Sequence, residues 1–423
     1  MASVESGRKN AEQGWSGQSS GIGPGKARPD ALRLARELLQ DSEGDSDDEL
    51  LRRLEAVGDD GMLTNAASLL LVGNGRPVLE YRLKGGHQEL RPDGELSVLE
   101  QLSLVLDAVR RNNPEVQMPE WADQETAPAL SESAAREAVV NGVAHRDWRG
   151  PRLVEVEQEH RFGALRVRSP GGFIGGFDEY DVFSRQPFPR NRALMRLLAG
   201  LGLAENRGSG IGRMVTGLVR GGQPAPTFRE VEGASVEVTL GGGRPPDPAW
   251  QLWLAKIKGP QELTDHRVLL LLRWVADHRW VDVRTASRIA HTTEAEARSL
   301  LRTLEDSRVL GARLLVPIAG VPSKASRALT FSATARDSLA ELYDWAKLAM
   351  PGRDREAVAR SYVQARGRLS TTELGSIIGL SSAGTAPLIR KLERVGVMRP
   401  AWANRKGRGF HYVLTEPSRE KSA

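Results

Sequence analysis

Cysteine is absent from all 423 residues. That removes disulfides, thiol nucleophiles, iron-sulfur clusters and cysteine-held zinc together, and fits a reducing compartment. Long apolar runs are absent as well: the longest, 66–72 and 268–272, fall far short of the roughly 20 residues that span a bilayer. No membrane partner is therefore expected. The start of the chain is rich in Ser, Gly and Gln and lacks a basic stretch followed by an apolar one, so it does not read as a secretory signal and the expected location is cytoplasmic. Aromatic residues make up only 5%.

Forty per cent hydrophobic and 27% charged residues match ordinary globular domains, and the length suggests two to four of them. A net charge of +5 is too small for a whole-chain argument for nucleic acid, but the charge is polarised. Residues 41–60 carry nine acids against Arg52 and Arg53, whereas 390–408 carry seven bases against Glu393.

Residues 1–29 offer almost nothing to bury and are expected to be disordered. A small α/β region is expected over 30–115. An α+β domain follows over 116–242, with helices at 131–144, 193–201 and 213–219, strands at 154–159, 164–167 and 236–240, and glycine-dense loops at 169–176 and 208–212. Gly/Pro-rich 243–262 reads as a linker. The remainder shows one order of elements twice, three helices and then a hairpin, over 263–340 and 354–423 with a connector at 341–353. That order is the plan of a winged helix-turn-helix, and equally of two unspecialised three-helix bundles.

Glu137 and Asn141 stand four residues apart on an expected helix, so both side chains leave one face. A carboxylate and an amide there suit polarising a water and holding a hard cation through oxygen. The spacing alone is common. It gains weight from the loops Ser169-Pro170-Gly171-Gly172 and Gly208-Ser209-Gly210-Ile211-Gly212, because glycines at a helix start let backbone N–H groups approach a phosphate.

Other motifs fail on inspection. His145-Arg146-Asp147 imitates a protein-kinase catalytic loop, but Arg152 stands where its asparagine belongs and no Asp-Phe-Gly occurs. Gly21 to Ala27 lacks the spacing and the Ser/Thr of a P-loop, so a helicase motor is not expected. The seven histidines form no His-Glu-x-x-His.

Taken in order, Leu63-Thr64-Asn65-Ala66, Arg136 to Asn141 with Ala144 to Trp148, Ser169 to Gly172, Pro189-Arg190-Asn191 and Gly200 to Glu205 resemble the GHKL-type (Bergerat-type) domain of bacterial ATP-binding, RecG-like transcriptional regulators. The resemblance covers about 63–240. It implies a nucleotide site for ATP and Mg, with Glu137 activating water and Asn141 binding the metal. Ser169, Gly171 and Gly172 would border the adenine, and Gly208, Gly210 and Gly212 would wrap the phosphates. Ser169 stands where the family carries an acid or amide, which implies poor selectivity for adenine. The 62 residues ahead of Leu63 leave too little for the Schlafen/AlbA-type module of larger members, which is expected to be missing or vestigial.

In the last domain, Arg390, Lys391 and Arg394 fall on the expected recognition helix and Arg405, Lys406 and Arg408 on the expected wing, a pattern suited to phosphates of double-stranded DNA. Pro387 must fall in the first turn of that helix or kink it. The expected function is DNA-binding transcription regulation modulated by ATP occupancy, with at most weak hydrolysis. The alternatives are an ATP-hydrolysing enzyme acting on nucleic acid and a scaffold with a degenerate pocket. The oligomeric state stays open.

Overall fold

A computed structural model describes residues 14–40, 45–118, 126–160, 164–176, 178–179, 181–183, 189–204, 210–232, 234–241, 246–259, 263, 265–346, 348–404 and 409–415. The chain divides into two compact units, 1–246 and 247–423.

The first unit is built on one six-stranded sheet. Its strands are β1 (Leu79–Lys84), β2 (Glu89–Leu90), β3 (Val154–Glu159), β4 (Leu165–Pro170), β5 (Thr227–Val231) and β6 (Ser235–Leu240). They lie in the order β2-β1-β3-β4-β6-β5. All neighbours are antiparallel except β1 and β3, which run parallel from Leu79 beside Val154 to Lys84 beside Glu159. A parallel pair needs a long crossover, and here it carries the helices Val98–Arg111 and Glu132–Ala144. The helices of the unit are α1 (Pro29–Leu39), α2 (Asp47–Arg53), α3 (Asn65–Leu71), α4 (Val98–Arg111), α5 (Glu132–Ala144), α6 (Arg192–Gly200) and α7 (Gly210–Arg220). The expected boundary at 115/116 therefore does not divide two domains: β1 and β3 share one sheet, and a single core includes Leu79, Tyr81, Leu102, Val139 and Val156.

The expected disorder of 1–29 is corrected over its described part, with 1–13 lying outside the described residues. Residues 14–28 are held by backbone and polar side-chain bonds together with Ile22 and Ala27, which pack against the core; so few apolar residues are why composition misses them. Ser20 N donates to the Leu63 carbonyl, Arg28 N to that of Leu71, and Asn65 Nδ2 to that of Trp15. Arg28 Nε reaches Glu100 Oε2 at 2.7 Å, and Glu100 in turn closes a capping box with Ser97 at the start of α4.

The second unit opens with α8 (Pro248–Ala255), inside the segment expected to be linker. Asp247 caps it and Pro248 fills the first helical position, a combination that starts helices well. Trp250 and Trp253 are fully buried, so 248–255 belongs to a folded core; 243–245, 260–262 and 264 lie outside the described residues. The unit continues with α9 (His266–His278), α10 (Val283–Ile289), α11 (Glu294–Asp306), the strands Leu315–Pro317 and Ala328–Phe331, and α12 (Ala333–Trp345). Trp253 Nε1 donates to Ser338 Oγ at 3.0 Å and Tyr343 bonds Asp247, which ties α12 to α8. The expected connector thus begins within a helix.

The second half contains α13 (Arg355–Arg366), α14 (Thr371–Ile378), α15 (Ser382–Arg394) and the paired strands Met398–Pro400 and Tyr412–Leu414. Pro387 lies inside α15, beyond its first turn. The halves are not independent bodies. Trp280, Ile318 and Ala328 from the first join Tyr362, Leu374 and Ile389 of the second in one core, and Arg279 donates to the carbonyls of Pro351 and Gly352.

Candidate functional site

The helix α5 begins at Ser131, whose hydroxyl accepts from Ala134 N, and it lies so close to the sheet that a Cβ on Gly142 would come within 2.9 Å of Val167 Cγ1. Only glycine permits that approach. Against the other side of α5 packs α7, again through glycines: a Cβ on Gly217 would meet Ser131 Oγ at 2.5 Å, and one on Gly210 would meet Glu137 Oε2 at 2.5 Å and Asn141 Nδ2 at 3.5 Å. These contacts set the geometry of the site. Glu137 and Asn141, one turn apart on α5, face the first residue of α7.

Gly210 and Gly212 are in the first turn of α7, not in a loop ahead of it as the sequence suggests; the helix starts three residues earlier than expected. The backbone N–H groups there have no partner within the helix and form its positive end. Gly208 lies outside the described residues. Glu137 is 1% exposed and pairs with Arg213, from the second turn of α7. That partner is not signalled by any motif, since 76 residues separate the two.

Ser169, the last residue but one of β4, meets α5 one residue beyond Asn141. Its hydroxyl donates to the Gly142 carbonyl at 2.6 Å. Asn191 Nδ2 donates to the carbonyls of Ala144 and Arg146, at 2.8 and 2.9 Å. The last carbonyls of a helix lack helical partners, so Ser169 and Asn191 act as side-chain caps for the end of α5. Gly171, at φ 106°, then turns the chain where a side chain would be strained, and a Cβ there would meet Arg190 and Asp147 at 3.1 Å. Arg190 Nη2 donates to the Gly172 carbonyl at 2.6 Å, and Glu230 accepts from Phe173 N at 3.3 Å, which fixes the loop.

The motif after α5 is structural in its middle residue. Arg146 is fully buried, donates to the carbonyls of Gly150 and Arg152, and stacks over Trp148 at 4.4 Å. Burial, then repulsion from Arg76, lowers its pKa to about 10. Asp147 is held down to about 2 by its hydrogen bond from Arg149, with Arg190 adding to the effect. Burial pushes His145 down to about 4, and Arg190 pushes the same way, so its imidazole is neutral at pH 7. Among the described residues no group of three His, Asp or Glu could hold a metal.

The donor set fits a magnesium nucleotide. Glu137 and Asn141 offer oxygen, the start of α7 offers backbone N–H groups, and the lack of a side chain at Gly210 lets that helix start approach Glu137. A separate cavity of about 440 Å³, lined by Asp107, Arg110, Asn113, Glu132 and Arg136 among others, contains none of these residues.

In the second unit Arg390, Lys391 and Arg394 are exposed on α15. Lys391 is paired with Glu356 of α13. Arg405, Lys406 and Arg408 lie outside the described residues. No helix among the described residues is long and apolar enough to cross a membrane.

Residues 163–240 match a family model described as "Putative ATP-dependent DNA helicase recG C-terminal". The chain is also similar to the DIP2311 protein from Corynebacterium diphtheriae, a solved structure, at 28% identity and a TM-score of 0.70 over 77% of this chain. It spans 66% of that protein's length. No curated protein matches. The family match begins just ahead of β4 and ends with β6, so it takes in the glycine segments and leaves out α5 with Glu137 and Asn141. Over its last strands and α7, the first unit is thus similar to a RecG-like, GHKL-type ATPase-like domain.

Proposed function

We propose that the first unit binds ATP with magnesium and that the second consists of two winged helices, the last of which binds double-stranded DNA, so that nucleotide occupancy modulates DNA binding in transcription regulation. The observation that carries the nucleotide reading is the meeting of Glu137 and Asn141 with the first turn of α7. The family match over 163–240 supports it, since it takes in α7, although it leaves out Glu137 and Asn141. In this reading Asn141 holds the metal, and the N–H groups of Gly210 and Gly212, with Gly208 ahead of them, hold phosphate. Ser169, Gly171 and Gly172 border the base. When bound, the magnesium would supply positive charge beside the phosphates. Glu137 would hold an attacking water; the alternative reading is an ATP-hydrolysing enzyme of defence or repair.

The DNA reading rests on the repeated order of three helices and strands, and on the exposed arginines of α15. A cytoplasmic location in bacteria belongs to the same proposal. The test is calorimetric titration with MgATP: wild type binds, and Asn141→Ala binds much more weakly. Unchanged curves for Asn141→Ala reject the site. Stimulation of turnover by duplex DNA would instead favour the enzyme.

A further inference from the structure

Arg213 is a cation placed where the nucleotide reading requires anions. Its partner Glu137 is only 1% exposed, and a carboxylate so far from water is costly unless a cation or hydrogen-bond donor compensates it. Arg213 itself is not fully enclosed: its side chain is 32% exposed, although its Nε is buried. It stands one turn beyond Gly210, on the same helix whose start faces Glu137 and Asn141. A guanidinium presents several N–H donors in a plane and pairs with carboxylate and phosphate by the same geometry. Glu137 and a phosphate at the start of α7 are therefore rivals for one cation.

We propose that Arg213 distinguishes a nucleoside triphosphate from a diphosphate. It pairs with Glu137 when no terminal phosphate is held and with the terminal phosphate when one is, leaving the Glu137 carboxylate without its cation. No bond forms or breaks in this exchange; one ion pair replaces another. Arg213 is thus a specificity residue, and the same exchange releases Glu137 only when a triphosphate is in place. The inference rests on the nucleotide reading of the site.

The experiment titrates ATP, its β,γ-imido analogue and ADP, each with magnesium, into the full chain as wild type, Arg213→Gln and Glu137→Gln. Wild type should prefer both triphosphates to ADP. Arg213→Gln should weaken the triphosphates by about tenfold or more, the scale of a lost charged hydrogen bond, with ADP changed by less than about twofold. Glu137→Gln should act in the opposite direction, tightening the triphosphates and sparing ADP, because the rival carboxylate is gone. Equal weakening of all three ligands by Arg213→Gln, or an unchanged ratio, overturns the inference and leaves nucleotide binding standing. Failure of wild type to bind any of them overturns both. If Arg213→Gln does not fold, as read by circular dichroism, the ratio in Glu137→Gln decides.

Discussion

Arg366 Nη1 lies 2.6 Å from Asp282 Oδ2, with both side chains only 6% exposed. The pair joins α13 to the residue that caps α10, because the other oxygen of Asp282 accepts from Thr285 N. The second nitrogen of Arg366 donates to the Ser326 carbonyl. Burial works against the guanidinium's charge, yet Asp282 and Tyr362 leave its pKa raised.

Breaking that contact should loosen both halves of the second unit. Arg366→Ala leaves Asp282 buried without its cation, a change that costs about 3–5 kcal/mol in comparable buried pairs. We expect the melting temperature of this unit to fall by on the order of 10 °C. Arg366→Lys should recover only part, since one ammonium does not reproduce the fork that serves Asp282 and Ser326. A differential scanning trace for Arg366→Ala that superimposes on wild type would contradict this account.

Acid should destabilise the first unit in a window set by His145. Its folded value is depressed to about 4, chiefly by burial, so below about 6.5 the unfolded chain takes up a proton that the folded chain refuses. Stability therefore falls as pH drops from about 6.5 to about 4, by up to about 3 kcal/mol, and His145 adds nothing further below that. Asp147, held near 2 by Arg149, loses its contribution in a separate window below about 4. Urea melts of wild type and His145→Gln between pH 4 and 7.5 isolate the first effect: the difference between them should change over that range, and a constant difference would count against a buried neutral imidazole.

Ser169→Ala should be a stability variant more than a specificity variant. Its hydroxyl is committed to the Gly142 carbonyl, and leaving a buried acceptor unpaired costs about 1–3 kcal/mol. Preference between ATP and GTP should be weak in wild type and no weaker in the variant. A large loss of ATP preference without a change in denaturant midpoint would make Ser169 the reader of the base.

On α15, Arg390 and Arg394 are the exposed cations to test, and Lys391 is the internal comparison because Glu356 already pairs with it. Changing both arginines to alanine should weaken duplex binding on every sequence and reduce the salt slope by roughly two, at about 0.9 per phosphate contact. Lys391→Ala should do less. Fluorescence anisotropy at several salt concentrations reads both, and an unaltered slope in the double variant would assign the arginines to a solvated face.

What the sequence discloses and what it hides follow from the range of each interaction. The helix carrying Glu137 and Asn141 is legible because its cap at Ser131 and its period are local, and it appears at 132–144, within a residue of expectation. The join of β1 to β3 is not legible, because it pairs residues 75 positions apart and no local pattern encodes it. Residues 14–28 read as disordered because their docking uses mainly backbone and polar side-chain bonds, with only Ile22 and Ala27 against the core, and so gives little hydropathy signal. For α8 a usable signal existed: Asp247-Pro248 is a cap followed by the favoured first residue, but the glycines and prolines just ahead outweighed it. The role of Arg213 is not legible, because the pairing of charges on two helices depends on how those helices pack.

The parallel contact between β1 and β3 also decides how the chain can be cut. A fragment starting at 116, the boundary that composition suggests, would lose β1 with α4 and expose the ladder groups of β3 from Val154 to Glu159 along an open edge. It would also strip the buried faces of Val139 and Val156 of their neighbours in the common core. Such an edge invites pairing with a second chain, so that fragment should self-associate where one beginning at residue 14 stays monodisperse, and nucleotide measurements on it would report the damage instead of the site.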